Sequence, residues 1–340
     1  TPRAAPWHTL LKLALFSLQA SRKGEVMALL EFGYNPPTGV RVAAQPLTRG
    51  QEDINPHTFL TDLARVLDIA AQGFTSFWIS DHLQADALYR LECWTTLVWL
   101  MARYPHVKFG TIVMSNSFRH PPLMAKMAAT LQVLSGGRFV LGYGAGWHEP
   151  EYRAFGYEFP SAATRLAIME EGIQILRGMW RESPFSFQGR HYQVVNAYCV
   201  PRPDPPPPLM IGGGGEKLTL RLVARHADWW NDVGRTPAVL QRKLLLLQQY
   251  CREEGTDYNA IRKTYTARIF IDRFHQKALE QAGDLLSSDN PPIAGDPSAV
   301  KEQLYALAEE GISLCQTVFP RFPQTDDLCL FMEEVLPAFV

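Results

Sequence analysis

The chain has 340 residues, 46% of them hydrophobic and 20% charged, with a formal net charge of −1 at pH 7. Such a composition is ordinary for a globular protein, and the charge balance creates no field that would draw nucleic acid or an anionic membrane surface. Five scattered cysteines (Cys93, Cys199, Cys251, Cys315 and Cys329) never form a CxxC pair, which speaks against a disulfide framework or structural zinc and for a reducing cytoplasm.

No apolar run reaches the roughly 18 residues of a membrane span. Residues 1–26 stand apart. TLLKLALFSLQA is short, is interrupted by Lys12 and lacks a small-residue cleavage site, so it does not read as a signal peptide. The expectation is an N-terminal extension outside the fold, with Met27 as the natural start and one folded unit over 27–340.

From there strands and helices alternate. MALLEFGYNPP reads as a first strand ending near Gly33–Asn35, followed by a Pro/Gly-rich loop. In HTFLTDLARVLDIAAQG, the residues Phe59, Leu60, Leu63, Val66, Leu67 and Ala70 recur at helical spacing, with Gly73 as the stop. FTSFWIS is the second strand and carries Asp81 and His82 at its tip; CWTTLVWLMARY is the next helix. VKFGTIVM and RFVLGYGAG follow as strands three and four, joined by PPLMAKMAATLQVLS, a helix opened by prolines and closed by Gly136 and Gly137. Two apolar strands joined by a helix form a parallel βαβ unit covered on both faces. Their ends, Ser115-Asn116-Ser117 and Gly144-Ala145-Gly146, fall where parallel sheets border ligands.

After the amphipathic helix TRLAIMEEGIQILRGMW the alternation pauses. FSFQGRHYQVV reads as a hairpin and PRPDPPPP as an extended segment. Residues from about 181 to 207 are therefore expected to form an insertion over the barrel mouth, between strands four and five. LMIGGGG, ADWWNDV, KTYTARIFID and GISLCQTVFP supply strands five to eight, separated by EKLTLRLVARH, TPAVLQRKLLLLQQYCREEG and PSAVKEQLYALAEEG; DDLCLFMEEVLPAF closes the chain. Eight strands alternating with helices predict an α/β fold, a (β/α)8 TIM barrel. A doubly wound open sheet is the runner-up, disfavoured because no Gly-rich turn follows the first strand.

The most informative short motif is IGGGGEKLT. Four glycines (Gly212, Gly213, Gly214 and Gly215) between a strand and a helix let backbone N–H groups turn inward and leave space for a bulky anion. A helix starting near Glu216 would add its positive end. The functional reading is a cradle for a cofactor phosphate; the plain structural one is close strand–helix packing. His82, at the carboxyl end of a barrel strand, is placed for proton transfer near neutral pH, or else is a hydrogen-bonded rim residue.

WHEPEYRAFG brings Trp147, His148, Glu149 and Glu151 to one loop. A metal site would enlist His148, Glu149 and Glu151 with Asp81 and His82, but neither an HxH in the first strand nor an HExxH occurs, so no metal is expected. Glu151 either takes part in catalysis or braces the loop against a basic neighbour. Arg119 either holds an anion or bridges loops, and His120, before a proline, is held extended.

Taken together, WISDH, GTIVMSNSFRHPPLMAKMAATLQVLSGGRFVLGYGAGWHEPEYRAFG, RLAIMEEGIQILRGMW, GRHYQV and LMIGGGGEKLTLRLVARHADWWN closely resemble the luciferase-like monooxygenase superfamily. Within it, the similarity is to the branch dependent on coenzyme F420, an 8-hydroxy-5-deazaflavin. The resemblance runs from about Met27 to the C-terminus and implies a barrel whose cofactor lies at the carboxyl ends of the strands. It implies a non-prolyl cis peptide in strand three, which falls at Ile112–Val113. It also implies cofactor contacts from Gly33, Ser115, Asn116, Gly144, Trp147 and Glu216, with phosphate binding by the amides of the glycine run Gly212–Gly215. Asp81 and His82 match the SDH pair of the deazaflavin-dependent sugar-phosphate dehydrogenases, with the histidine on the substrate side. Where those enzymes carry a glutamate directly after strand four, this chain has Trp147, which argues against a sugar-phosphate substrate held by that acid.

The implied activity is hydride transfer between F420 and a small organic substrate, with His82, Asp81 and Glu151 as the catalytic candidates. An FMN-dependent monooxygenase of the same superfamily is the alternative, and a barrel that binds flavin without catalysis is a third reading. Barrels of this superfamily often pair, so a homodimer is the expected assembly.

Overall fold

The structure is a computed structural model that describes residues 30–40, 56–84 and 89–339. The expectation for residues 1–26 lies outside the described residues. Eight parallel strands form the barrel: β1 (Glu31–Tyr34), β2 (Ser76–Ile79), β3 (Lys108–Thr111), β4 (Phe139–Gly144), β5 (Leu209–Gly212), β6 (Trp229–Val233), β7 (Arg262–Ile271) and β8 (Leu314–Val318). Each pairs with the next, and β8 returns to β1 with Glu31 opposite Leu314, so the barrel has no open edge. Outside lie α1 (Pro56–Ala70), α2 (Cys93–Arg103), α3 (Pro121–Leu134), α4 (Ala162–Arg181), α5 (Thr219–His226), α6 (Pro237–Glu254), α7 (Pro297–Glu309) and α8 (Asp326–Glu334).

The composition of the strands accounts for this closure. Every residue of β2 (SFWI) and β4 (FVLGYG) is buried, as expected where helices cover one face of a strand and side chains fill the barrel behind the other. Trp78, Val140, Met210 and Leu314 fill the interior, with Ile112, Val113 and Trp229 against them. On the β6–β8 side the filling turns polar: Asn231 Nδ2 donates towards Thr264 Oγ1 (3.1 Å) and Gln316 Oε1 (3.0 Å). Prolines open α3, α6 and α7, and Gly255, in the left-handed region at φ 70°, closes α6. Among the described residues no helix is long and apolar enough to cross a membrane.

Three features depart from the pattern read off the sequence. The run Val107–Met114 is not one strand: β3 stops at Thr111, the Ile112–Val113 peptide is cis, and a two-residue strand, Met114–Ser115, resumes against Tyr143 and Gly144 of β4. The helix after the glycine run starts at Thr219, because Glu216–Leu218 form a turn first.

The third departure concerns the insertion. Its hairpin, Phe185–Gln188 and Gln193–Ala197, is seated on α4. Glu171 of α4 accepts the amides of Arg190 (2.7 Å), His191 (2.8 Å) and Tyr192 (3.0 Å), and a Cβ on Gly178 would overlap the Phe185 ring. The reason is geometric. α4 carries the chain to the amino-terminal end of the barrel, where β5 must also begin, so an excursion leaving α4 climbs its flank and returns. The tip reaches the strand ends, where Asn116 Nδ2 donates to the Tyr192 hydroxyl at 3.2 Å.

Candidate active site

Three residues after β2, His82 stands at the carboxyl ends of the strands. A short helix, Glu149–Ala154, follows β4 and turns Glu151 towards it. His82 Nδ1 lies 3.0 Å from Glu151 Oε1, and the Leu83 amide donates to Glu151 Oε2 at 2.9 Å. Glu151 is 2% exposed. Burial by itself would raise its pKa, but the hydrogen bonds from His82 and the Leu83 amide outweigh that and hold the carboxyl below its ordinary range. A carboxylate only accepts hydrogen bonds, so Nδ1 carries the proton of the neutral imidazole, and Nε2 is left as its proton-accepting atom. Glu151, expected as catalytic or bracing, therefore orients His82 from behind. Trp147, 65% exposed, and His148 stand beside it, their ring centres 5.7 and 6.3 Å from that of His82.

The same contact predicts an acid response. A carboxyl lowered in the fold stabilises the protein above its unfolded-state pKa and loses that contribution as pH falls through the folded value. Glu151→Gln should therefore be less stable than the parent at pH 7, with the gap narrowing on acidification into the carboxylate range. Urea unfolding at both pH values measures this, and a gap that stays constant refutes it.

Asp81 is not available for chemistry, contrary to expectation. Its side chain is fully buried and both oxygens are taken: Arg119 Nη1 and Nη2 donate to them at 2.8 and 3.2 Å, and the Ser115 amide adds a third bond at 2.9 Å. Burial pushes the Asp81 carboxyl up, against the downward pull of Arg119 and that amide. Arg119 also meets Glu92, whose carboxylate caps α2 through the amides of Trp94 and Thr95. Of the two roles considered for Arg119, the structure selects the bridge between loops. Arg119→Ala, which strands a buried carboxylate, should cost about 3–5 kcal/mol in urea unfolding; a loss below about 1 kcal/mol would mean that the pair adds nothing.

Several expected cofactor contacts are likewise spent inside the protein. Asn116 Oδ1 accepts from the Tyr143 hydroxyl at 2.6 Å and its Nδ2 faces Tyr192. Ser115 Oγ is 2.6 Å from the Tyr152 hydroxyl. Gly33 belongs to the barrel core, since a Cβ there would overlap the Trp78 indole. Gly144 and Gly212 leave room for the Val113 side chain, each placing a notional Cβ 2.6 Å from one of its methyls. Ile112 and Val113 are themselves half-buried, on top of the barrel filling.

The glycine run is only partly free. The Gly213 amide donates to Asn231 O at 3.0 Å and its carbonyl accepts from Trp230 Nε1, so this N–H is spent. The Gly214 and Gly215 amides have no hydrogen-bond partner among the described residues. Glu216 Oε1 pairs with Arg242 Nη2 at 2.6 Å. Beneath Gly214 lies a buried ion pair that motif reading overlooked, Lys243 Nζ to Asp232 Oδ2 at 2.6 Å. A signal existed: Lys243 falls between Leu240 and Leu244, Leu247 on the buried face of α6, where a charge requires a partner.

A family model described as luciferase-like monooxygenase matches residues 31–313. An F420-dependent glucose-6-phosphate dehydrogenase of Amycolatopsis mediterranei (strain U-32) is 30% identical over 304 residues, covering 78% of this chain and 90% of its own. Among solved structures, an F420-dependent secondary alcohol dehydrogenase in complex with an F420-acetone adduct superposes with a TM-score of 0.74 at 21% identity, covering 92% and 99% of the two chains. The oxygenating constituent of 3,6-diketocamphane monooxygenase of Pseudomonas putida, in complex with FMN, is similar at a TM-score of 0.69 and 16% identity, with 92% and 99% covered.

Proposed function

The chain belongs to the luciferase-like monooxygenase family, and from that premise we propose that it is a coenzyme F420-dependent oxidoreductase acting on a small organic substrate. The observation that carries the reading is the His82–Glu151 pair at the carboxyl ends of the strands, in the same barrel mouth as the Ile112–Val113 peptide and the glycine run. The residues present suit a phosphorylated ring. Ile112 and Val113 offer it an apolar face, and the free amides of Gly214 and Gly215 offer its phosphate two donors, at a point where any Cβ on Gly214 would intrude.

When bound, F420 supplies a two-electron hydride acceptor or donor. The chain's own part is binding, orientation and proton handling. His82 takes the proton of an alcohol being oxidised on Nε2, or returns it in the reverse direction. Glu151, held ionised, keeps Nδ1–H pointed backwards and stabilises the imidazolium that results. Trp147 and His148 flank the site beside His82.

Titration of the purified protein with F420, FMN and FAD, followed by cofactor fluorescence, tests this. Saturable quenching of F420 alone is the expected result. Binding of FMN instead would favour an oxygenase, and binding of none would discard both.

The assembly we propose is a cytoplasmic homodimer. Val98 and Trp99, 41% and 44% exposed on α2, form an apolar patch of the kind that pairing covers, and all five cysteines are unpaired, as suits a reducing compartment. Sedimentation equilibrium that returns only the monomer mass would discard the pairing; recovery of the chain outside the cell would discard the address.

A further inference from the structure

We propose that Lys243 is a phosphate-binding residue of this site, exchanging Asp232 for the cofactor phosphate while Arg235 takes over the carboxylate. The inference rests on the F420 reading above and extends it to a residue outside the glycine run. Lys243 is 4% exposed and Asp232 1%. The ammonium carries three hydrogens but has one hydrogen-bond acceptor, Asp232 Oδ2, which is a poor arrangement for a buried cation. Its Nζ lies against the α-carbon of Gly214, so that a Cβ on that residue would overlap it. The ammonium therefore lies directly under Gly214, whose amide, like that of Gly215, has no partner among the described residues.

Arg235 makes the exchange feasible. Its Nε is buried without a hydrogen-bond partner and stands 3.5 Å from Asp232 Oδ1, while Nη1 is tied to Asn290 Oδ1 at 2.5 Å. Two cations, the buried Lys243 and the partly exposed Arg235, thus share one carboxylate, which leaves one positive charge over beneath the cradle. The nearest charged pair on the loop itself, Glu216 with Arg242, is neutral as a unit. An anion settling on the Gly214 and Gly215 amides supplies the missing acceptor for Lys243, and Arg235 needs to move by less than an ångström to hydrogen-bond Asp232. Charge-assisted bonds of this kind are short and stronger than neutral ones.

The test compares two ligands that differ only beyond the ring: F420 and its phosphate-free fragment, 8-hydroxy-5-deazariboflavin. Both are titrated by fluorescence into the parent chain, Lys243→Met, Lys243→Arg and the double variant Lys243→Met/Asp232→Asn. Lys243→Met should bind F420 at least roughly tenfold more weakly and bind the phosphate-free ring as the parent does, with Lys243→Arg recovering part of the loss. If Lys243→Met alone fails to fold because Asp232 is left buried and unpaired, the double variant removes both charges and should show the same selective loss.

Equal weakening of both ligands would make the pair a structural support only and overturn the proposal, as would an unchanged F420 affinity. If the parent binds neither F420 nor FMN more tightly than the matching phosphate-free ring, the Lys243 assignment falls. If it binds FMN against riboflavin with the same Lys243 dependence, only the choice of F420 falls.

Discussion

Replacing His82 with alanine is expected to lower kcat by roughly 10²–10⁴-fold, equivalent to about 3–5 kcal/mol of barrier, with the F420 dissociation constant nearly unchanged. The separation of the two readouts follows from position. His82 is anchored through Nδ1 to Glu151 and the adjoining Leu83 amide, so it is held by groups on the protein side and offers only Nε2 to a reactant. It is at the end of β2, whereas the candidate phosphate site follows β5, so its removal takes a proton acceptor from the reaction without touching the cradle. Glu151→Gln should fall between the parent and His82→Ala, because glutamine still accepts the Nδ1–H but no longer stabilises a positive imidazolium. Stopped-flow measurement of F420 reduction beside equilibrium titration separates the effects. Undiminished turnover in His82→Ala would remove this residue from the mechanism altogether.

Gly214→Val should abolish measurable F420 binding. A side chain at this position enters the space of Lys243 Nζ and Asp232 Oδ1, so either the loop lifts or the buried pair separates. Overpacking of this kind costs about 1–3 kcal/mol, and losing two amide bonds to an anion adds about 1.5–3 kcal/mol each. Together these correspond to a loss of roughly 10³-fold or more in affinity. Gly213→Ala probes the loop's shape instead, because at φ 123° any side chain is strained. Its amide already donates to Asn231 O, so the position does not serve the anion. Gly214→Val with parental affinity, and a folded far-UV circular dichroism spectrum, would dismiss the cradle.

How much was legible beforehand differs between fold and site. The helices were readable because apolar spacing, opening prolines and closing glycines are local signals, and α3 and α6 end within a residue or two of where those signals place them. The glycine run was recognisable for the same reason, but the state of its amides was not: Gly213 bonds to β6, which no property of IGGGG encodes. The hairpin of the insertion was legible as a hairpin, while its seat on α4 depended on Glu171 capturing three consecutive amides. Asp81 was misjudged because an acid beside a histidine at a strand tip looks reactive until Arg119 is seen to occupy both of its oxygens.

By itself, then, the sequence determined the barrel, the order of its strands and the residues delivered to their carboxyl ends, since periodicity and chain punctuation act over a few neighbouring residues. The tertiary structure alone decided which of those residues remain free to react. Polar groups choose partners by proximity in space: Glu151 finds His82 across 69 positions, Arg119 finds Asp81 across 38 and Asn116 finds Tyr192 across 76. Burial makes each such choice compulsory, because a polar group left unpaired away from water costs more than any local preference can supply.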